Sequence, residues 1–192
     1  MNDRTSDPIE DHVRGLLRHL GEDEAREGLH RTPERVARAL RFFSKGYAED
    51  PKEIVSGALF VEDYQEMIVL RDVDFYSLCE HHLLPFFGKC HVAYLPDKKI
   101  IGLSKIPRLI EVFSRRLQVQ ERLTTQIART LNDTLKPKGV GVVVEAYHLC
   151  MMMRGVEKQN THAVTSSMIG RFRSDARTRE EFMDLLRRNK SL

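Results

Sequence analysis

One Val-rich stretch constrains this chain more than any other part of it. From residue 140 the sequence runs Val-Gly-Val-Val-Val-Glu-Ala-Tyr-His, and it reads as a single long strand from Val140 to Met153. β-Branched residues favour a pleated, half-buried surface. Pro137-Lys138-Gly139 separates this strand from what precedes it, and Thr161 to Phe172 reads as its hairpin partner. Further strands come from the middle of the chain. Between Met67 and Phe75, Ile68, Leu70 and Val73 sit among charges, and Phe86 to Leu95 reads as an antiparallel neighbour. Pro96-Asp97 makes a turn, and Ile100-Ile101 briefly resumes a strand before Gly102.

Helices flank this material. Ile9, Val13, Leu16, Leu17 and Leu20 recur at helical spacing from Pro8 to Leu20, and Gly21 stops the run. A second helix starts at Thr32-Pro33, with Thr32 as N-cap and Pro33 at the first helical position. A short helical segment follows Pro51. Ser104 caps a helix reaching about Leu117, and another spans about Val119 to Leu135. A last helix covers about Thr178 to Arg188. The class is α+β: an antiparallel sheet with helices packed on one side. An N-terminal helical region, 1–60, joins a main domain, 61–192, in one compact unit. A chain of 192 residues is long enough for one real core.

Composition excludes several classes. A net charge of +3 gives no basic surface of the kind that nucleic acid requires. No apolar run is long enough to span a bilayer, and the polar start, Met1 to Glu10, lacks a signal-peptide core. A cytoplasmic protein with no membrane partner is expected. Three widely spaced cysteines do not make a disulfide framework, so metal binding, catalysis or burial must account for them.

Two short motifs supply candidate ligands. Cys79-Glu80-His81-His82 puts a Cys and a His three apart, where the first strand ends before Pro85. His148-Leu149-Cys150 puts a His and a Cys two apart, and on a strand such residues share a face. Each pair alone is matched by a plain alternative, a buried thiol or a hydrogen-bonded histidine. Together they offer five donors. A catalytic zinc site uses three protein ligands and keeps a fourth position open, whereas a structural site uses four. Spacing does not choose between the two. Cys90, mid-strand between Lys89 and His91, is assigned to packing.

With these residues in place, the chain resembles the zinc-dependent GTP cyclohydrolase I family. The resemblance rests on Thr32-Pro33-Glu34-Arg35-Val36-Ala37, Cys79-Glu80-His81-His82, Gly102-Leu103-Ser104-Lys105, Gln118-Val119-Gln120-Glu121-Arg122-Leu123, and His148-Leu149-Cys150 followed by Met153-Arg154-Gly155. These segments occur in the family's order from about residue 28 to the last helix. The resemblance implies that Cys79, His82 and Cys150 hold one zinc ion per subunit and that His81 and His148 are the catalytic pair. It implies a tunnelling fold, in which strands from several subunits join into a barrel and two pentamers stack into a decamer. The site would then lie between subunits.

The implied reaction converts GTP and water to formate and 7,8-dihydroneopterin triphosphate, an entry to tetrahydrofolate and other pterins. His148 is assigned to protonating N7 of the purine and His81 to later proton transfers, since imidazole gives and takes protons near neutrality. A carboxylate suits the N1–H and 2-amino donors of guanine, which points to Glu121, with Gln120 beside it. The triphosphate calls for Ser104 at a helix N-terminus, Lys105, Arg108 and Arg154, with Arg35 and Arg38 from a neighbouring subunit. Position 38 is often Lys in the family, so Arg38 keeps the charge and changes the geometry. Arg115, Arg116, Arg187 and Arg188 are read as solvated charges. The rival readings are a catalytically silent zinc-binding relative and another tunnelling-fold enzyme acting on a pterin or deazapurine. No segment calls for a regulatory partner protein.

Overall fold

A computed structural model describes residues 7–187. Arg188, the expected end of the last helix, lies outside them. The chain divides into two units, Met1–Lys45 and Gly46–Leu192. Gly46 is bound within the second unit. The Gly46 N–H donates to the Arg115 carbonyl at 3.0 Å, and the Arg116 Nε donates to the Gly46 carbonyl at 2.9 Å.

The first unit holds α1 (Pro8–His19) and α2 (Thr32–Phe43). Asp7 caps α1 by accepting from the Ile9 N–H at 3.0 Å, and Pro8 fills a first-turn position that needs no donor. Arg41 grips both carboxylate oxygens of Asp7, at 3.0 and 3.1 Å. Thr32 is the first helical residue of α2 and not its cap; Arg31 occupies that place without a side-chain capping bond.

The second unit begins with α3 (Pro51–Ser56), capped by Asp50, and β1 (Leu59–Val61). Then follow β2 (Ile68–Cys79), β3 (Pro85–Leu95), β4 (Lys99–Ile101) and α4 (Lys105–Ser114). After these come β5 (Leu117–Gln118), α5 (Gln120–Leu135), β6 (Gly139–His148) and α6 (Leu149–Met152). The unit closes with β7 (Ala163–Gly170), α7 (Arg171–Ser174) and α8 (Ala176–Arg187). The main sheet has the order β5-β2-β3-β6-β7, and only β5 joins in parallel. β1 and β4 form a separate two-stranded sheet, so Ile100-Ile101 does not extend the main one.

Alternation decides what each face of the sheet does. Phe86, Cys90, Val92 and Tyr94 of β3, with Val140, Val142 and Val144 of β6, point to one face. There they pack with Leu109, Ile110 and Phe113 of α4 and Leu123, Ile127 and Leu131 of α5. Cys90 lies wholly within this core, and burial pushes its thiol well up. Ala93 and Val143 point the other way and meet Phe172 and Phe182 of α7 and α8, so the closing helices cover part of the opposite face. Burying such a phenylalanine is worth about 1.5–3 kcal/mol. Gly141 interrupts the valines for this reason: a β-carbon there would lie 2.7 Å from Phe172 Cδ1. Among the described residues no helix is long and apolar enough to cross a membrane.

β2 runs past the predicted Phe75 and carries a bulge. Its register with β3 shifts between Leu70 and Val73, and Asp72 takes a positive φ of 61°. The freed Asp72 N–H donates to Nδ1 of buried His91 at 3.1 Å. His91 must therefore be unprotonated at Nδ1. Burial pushes its pKa below the usual 6.5, opposed by the charges of Glu145 and Asp72. The unfolded chain thus takes up this proton at a higher pH than the folded one. The stability contribution is complete above about pH 6.5 and is lost as pH falls towards the lowered folded value. Thermal midpoints measured against pH should fall less steeply just below pH 6.5 in His91→Gln, whose amide oxygen can accept the same bond without titrating. Identical slopes in the two proteins would contradict this.

Candidate metal centre and active site

The Cys79–His82 segment is a tight reversal between β2 and β3. The Cys79 carbonyl accepts from the N–H groups of His82 (3.3 Å) and Leu83 (2.8 Å), and the Cys79 N–H donates to the Leu84 carbonyl at 2.8 Å. Leu83 completes the turn in the left-handed region, with a φ of 56°. Cys79 also pairs in parallel with Gln118 of β5, just before α5. Its sulfur is buried and lies 3.8 Å from Nδ1 of both His81 and His82, whose rings are exposed.

The third expected ligand arrives differently from the sequence reading. β6 stops at His148, and Cys150 sits in the one-turn helix α6. The two do not project side by side from a strand. The cause is the neighbouring strand: His148 pairs with Phe86, and β3 begins one residue earlier at Pro85, which has no N–H to extend the ladder. The helical turn still delivers the thiol. One donor atom from each of Cys79, His82 and Cys150 lies within 4.8 Å of the other two. Burial pushes the Cys150 thiol up, and the adjacent Cys79 adds to the shift. A divalent cation would reverse that cost by stabilising both thiolates. Two sulfurs and an imidazole are a donor set that suits zinc, so the residues present fit the expected metal.

Beside this cluster His148 is held with little freedom. Its ring stacks on Phe86 at 4.7 Å between centroids, with 4° between planes. Its Nε2 lies 2.8 Å from Oε1 of Gln120. The Gln120 side chain is buried, and its amide nitrogen faces three acceptors: the Val144 carbonyl (3.0 Å), the Ala163 carbonyl (3.1 Å) and Thr165 Oγ1 (3.1 Å). Those acceptors orient the amide, so Oε1 must accept from His148. The His148 proton is thereby placed on Nε2, leaving Nδ1 as a lone pair. Burial pushes the His148 pKa down, and the Glu121 carboxylate opposes the shift.

Glu121 is exposed in the first turn of α5. Lys105 and Arg108 lie one turn apart on α4; Ser104 precedes them without a side-chain cap bond and is exposed. Arg154, exposed just beyond α6, is near enough for its charge to act on Cys150. Arg35 and Arg38 are exposed on α2 of the first unit, where Arg38 lies 3.8 Å from Glu34. Among the described residues, Arg35, Lys105, Arg108 and Arg154 are in no ion pair. Sequence reasoning missed Phe86 and Thr165, which hold His148 and Gln120. Only the strand register, which pairs Phe86 with His148, reveals the first.

The profile of the GTP cyclohydrolase I family matches residues 9–187. The chain belongs to the GTP cyclohydrolase I family. "GTP cyclohydrolase 1" of Leptospira biflexa is 58% identical over 93% of this chain and 98% of its own length. "GTP cyclohydrolase 1" of Porphyromonas gingivalis is 56% identical over 95% of this chain and 94% of its own. That of Chlorobium phaeovibrioides is 60% identical over 90% and 77%. Among solved structures, the archaeosine synthase QueF-Like in the apo form overlays 56% of this chain and 97% of its own at a TM-score of 0.46 and 14% identity, too loosely to argue from. The family resemblance carried by the five sequence segments is thus borne out over nearly the whole chain.

Proposed function

We propose that this chain is a GTP cyclohydrolase I, converting GTP and water to formate and 7,8-dihydroneopterin triphosphate. The observation that carries the reading is the meeting of Cys79, His82 and Cys150 beside a histidine whose free nitrogen is fixed. We assign zinc to these three residues. Its chemistry when bound is Lewis acidity, which brings the pKa of water down to about 7.

The remaining work falls to side chains. His148, with Nε2–H committed to Gln120, carries and delivers a proton at Nδ1, the atom suited to N7 of the purine. Gln120 acts through His148 and not on the base, since its amide is fully used. His81, exposed beside Cys79, serves the later proton transfers of ring opening and closure. Glu121 accepts from guanine N1–H and the 2-amino group. Lys105, Arg108 and Arg154, uncommitted to protein carboxylates, bind the triphosphate with the N-terminus of α4 at Ser104 and with Arg35 and Arg38 of a neighbouring subunit.

A barrel of several copies is consistent with the strand edges. β7 ends one side of the sheet, and on the other β5 covers only Leu78 and Cys79 of β2, leaving open backbone for another strand. We infer a decamer of two pentamers, working in the cytosol where GTP is supplied.

Formate release from GTP, with and without a chelator, together with the oxidised pterin's fluorescence, tests the whole reading. Chelator-insensitive activity or no formate would refute it. Glu121→Gln should raise KM for GTP by at least about tenfold, because it sets an amide N–H against a guanine donor. An unchanged KM would remove Glu121 from guanine recognition.

A further inference from the structure

Among the described residues, most ion pairs join residues three or four apart, such as Arg14–Asp11, Arg26–Glu22 and Arg31–Glu34. One differs. Glu80 stands between Cys79 and His81 in the reversal after β2, and Arg122 follows Gln120 and Glu121 in α5. They are 42 residues apart in sequence. Arg122 engages the carboxylate with both terminal nitrogens: Nη1 to Oε2, and Nη2 to Oε1 at 2.9 Å. The backbone beside the pair is joined too, since the Glu80 N–H donates to the Gln118 carbonyl at 3.0 Å.

We propose that Glu80 and Arg122 are a positioning pair, which holds the metal-binding turn in register with the end of α5 that carries Gln120 and Glu121. The inference rests on the reading of Cys79, His82 and Cys150 as metal ligands and Glu121 as the guanine anchor. Both side chains are partly solvated, and a surface pair of this kind adds little to stability. Its value lies in geometry. The planar fork fixes direction as well as distance between the two segments. One segment carries two metal ligands and His81; the other carries the purine contact and the residue that orients His148. An error of about 1 Å between reacting groups costs about a hundredfold in rate. Arg122 is also set apart from Lys105, Arg108 and Arg154, because its charge is already matched by a carboxylate.

The test uses Glu80→Gln, Arg122→Lys, Arg122→Ala and the double variant Glu80→Gln/Arg122→Ala in the assembled protein. Kinetics with GTP should show kcat lowered about tenfold or more in Glu80→Gln and Arg122→Ala, with KM within about threefold. Arg122→Lys, which keeps the charge but not the fork, should remain impaired. The double variant should be no worse than the poorer single variant, as expected when both remove one interaction. Zinc affinity, by competition with a chromophoric chelator, should weaken about tenfold in the same variants. A loss confined to KM, independent losses that multiply in the double variant, or unchanged zinc affinity would each overturn the proposal. The zinc measurement needs no turnover. If the wild-type protein binds zinc but releases no formate, the substrate reading fails, and the zinc arm alone decides whether the pair positions the turn.

Discussion

Cys150→Ala should give a chain that folds, holds no zinc after dialysis, and releases formate from GTP at less than about a thousandth of the wild-type rate. The size follows from what one thiol supplies. Cys79, His82 and Cys150 each offer one donor within 4.8 Å of the others, and removing one leaves a two-donor site. Two donors from a single turn hold zinc weakly, and without the ion nothing in the site brings water's pKa near neutrality. The fold should survive, because Cys150 lies at the half-buried margin of the core and not within it. Three measurements settle it: bound zinc, far-ultraviolet circular dichroism, and formate. Normal turnover in a zinc-free, folded variant would contradict the assignment of the site.

Gln120→Leu should lower kcat about a hundredfold and also reduce stability by about 2–3 kcal/mol. The stability cost comes from the groups left behind. The carbonyls of Val144 and Ala163 and the Thr165 hydroxyl would lose the amide they share in a buried place. Thr165 keeps a partner in Thr124, at 2.7 Å, so the two carbonyls carry most of the cost. The rate cost has a separate origin. Without Oε1 to accept from Nε2–H, the His148 ring keeps its Phe86 stack but loses what selects its tautomer. The comparable loss of an orienting group in another hydrolase type lowers turnover by several powers of ten, so a hundredfold is a modest expectation. Urea unfolding and steady-state kinetics on one preparation separate the two effects. A variant that is destabilised but keeps its kcat would show that Gln120 serves the fold alone.

Much of this was legible in the residues, and the failures have local causes. The helix after Val119 was readable because Leu123, Ile127, Leu131 and Leu135 keep one face, and Pro137 ends the run. The Val140–Val144 core strand was readable from β-branching. The end of β6 was not. Leu149-Cys150-Met151-Met152 is as apolar as the strand before it, and only the partner's proline shows that the ladder has stopped. The bulge in β2 was hidden for a similar reason, since Asp72 takes its left-handed backbone while its N–H donates to a histidine on another strand. The three candidate donors, Cys79, His82 and Cys150, were visible as residue types. What could not be read was Gln120, whose role depends on four partners drawn from two strands and their ends. A polar residue at a helix start reads equally as surface, cap or substrate contact until its burial is known.

The distance along the chain between Cys79 and Cys150 has a thermodynamic consequence of its own. β3, α4, α5 and β6 all lie in the stretch between the two sulfurs. Any ion grasped from both ends cinches that stretch into a closed ring, and a ring has far fewer ways to be unravelled than an open string. Loading a cation at these donors would therefore also be a thermodynamic brake on melting, one that reaches the central strands and helices between them.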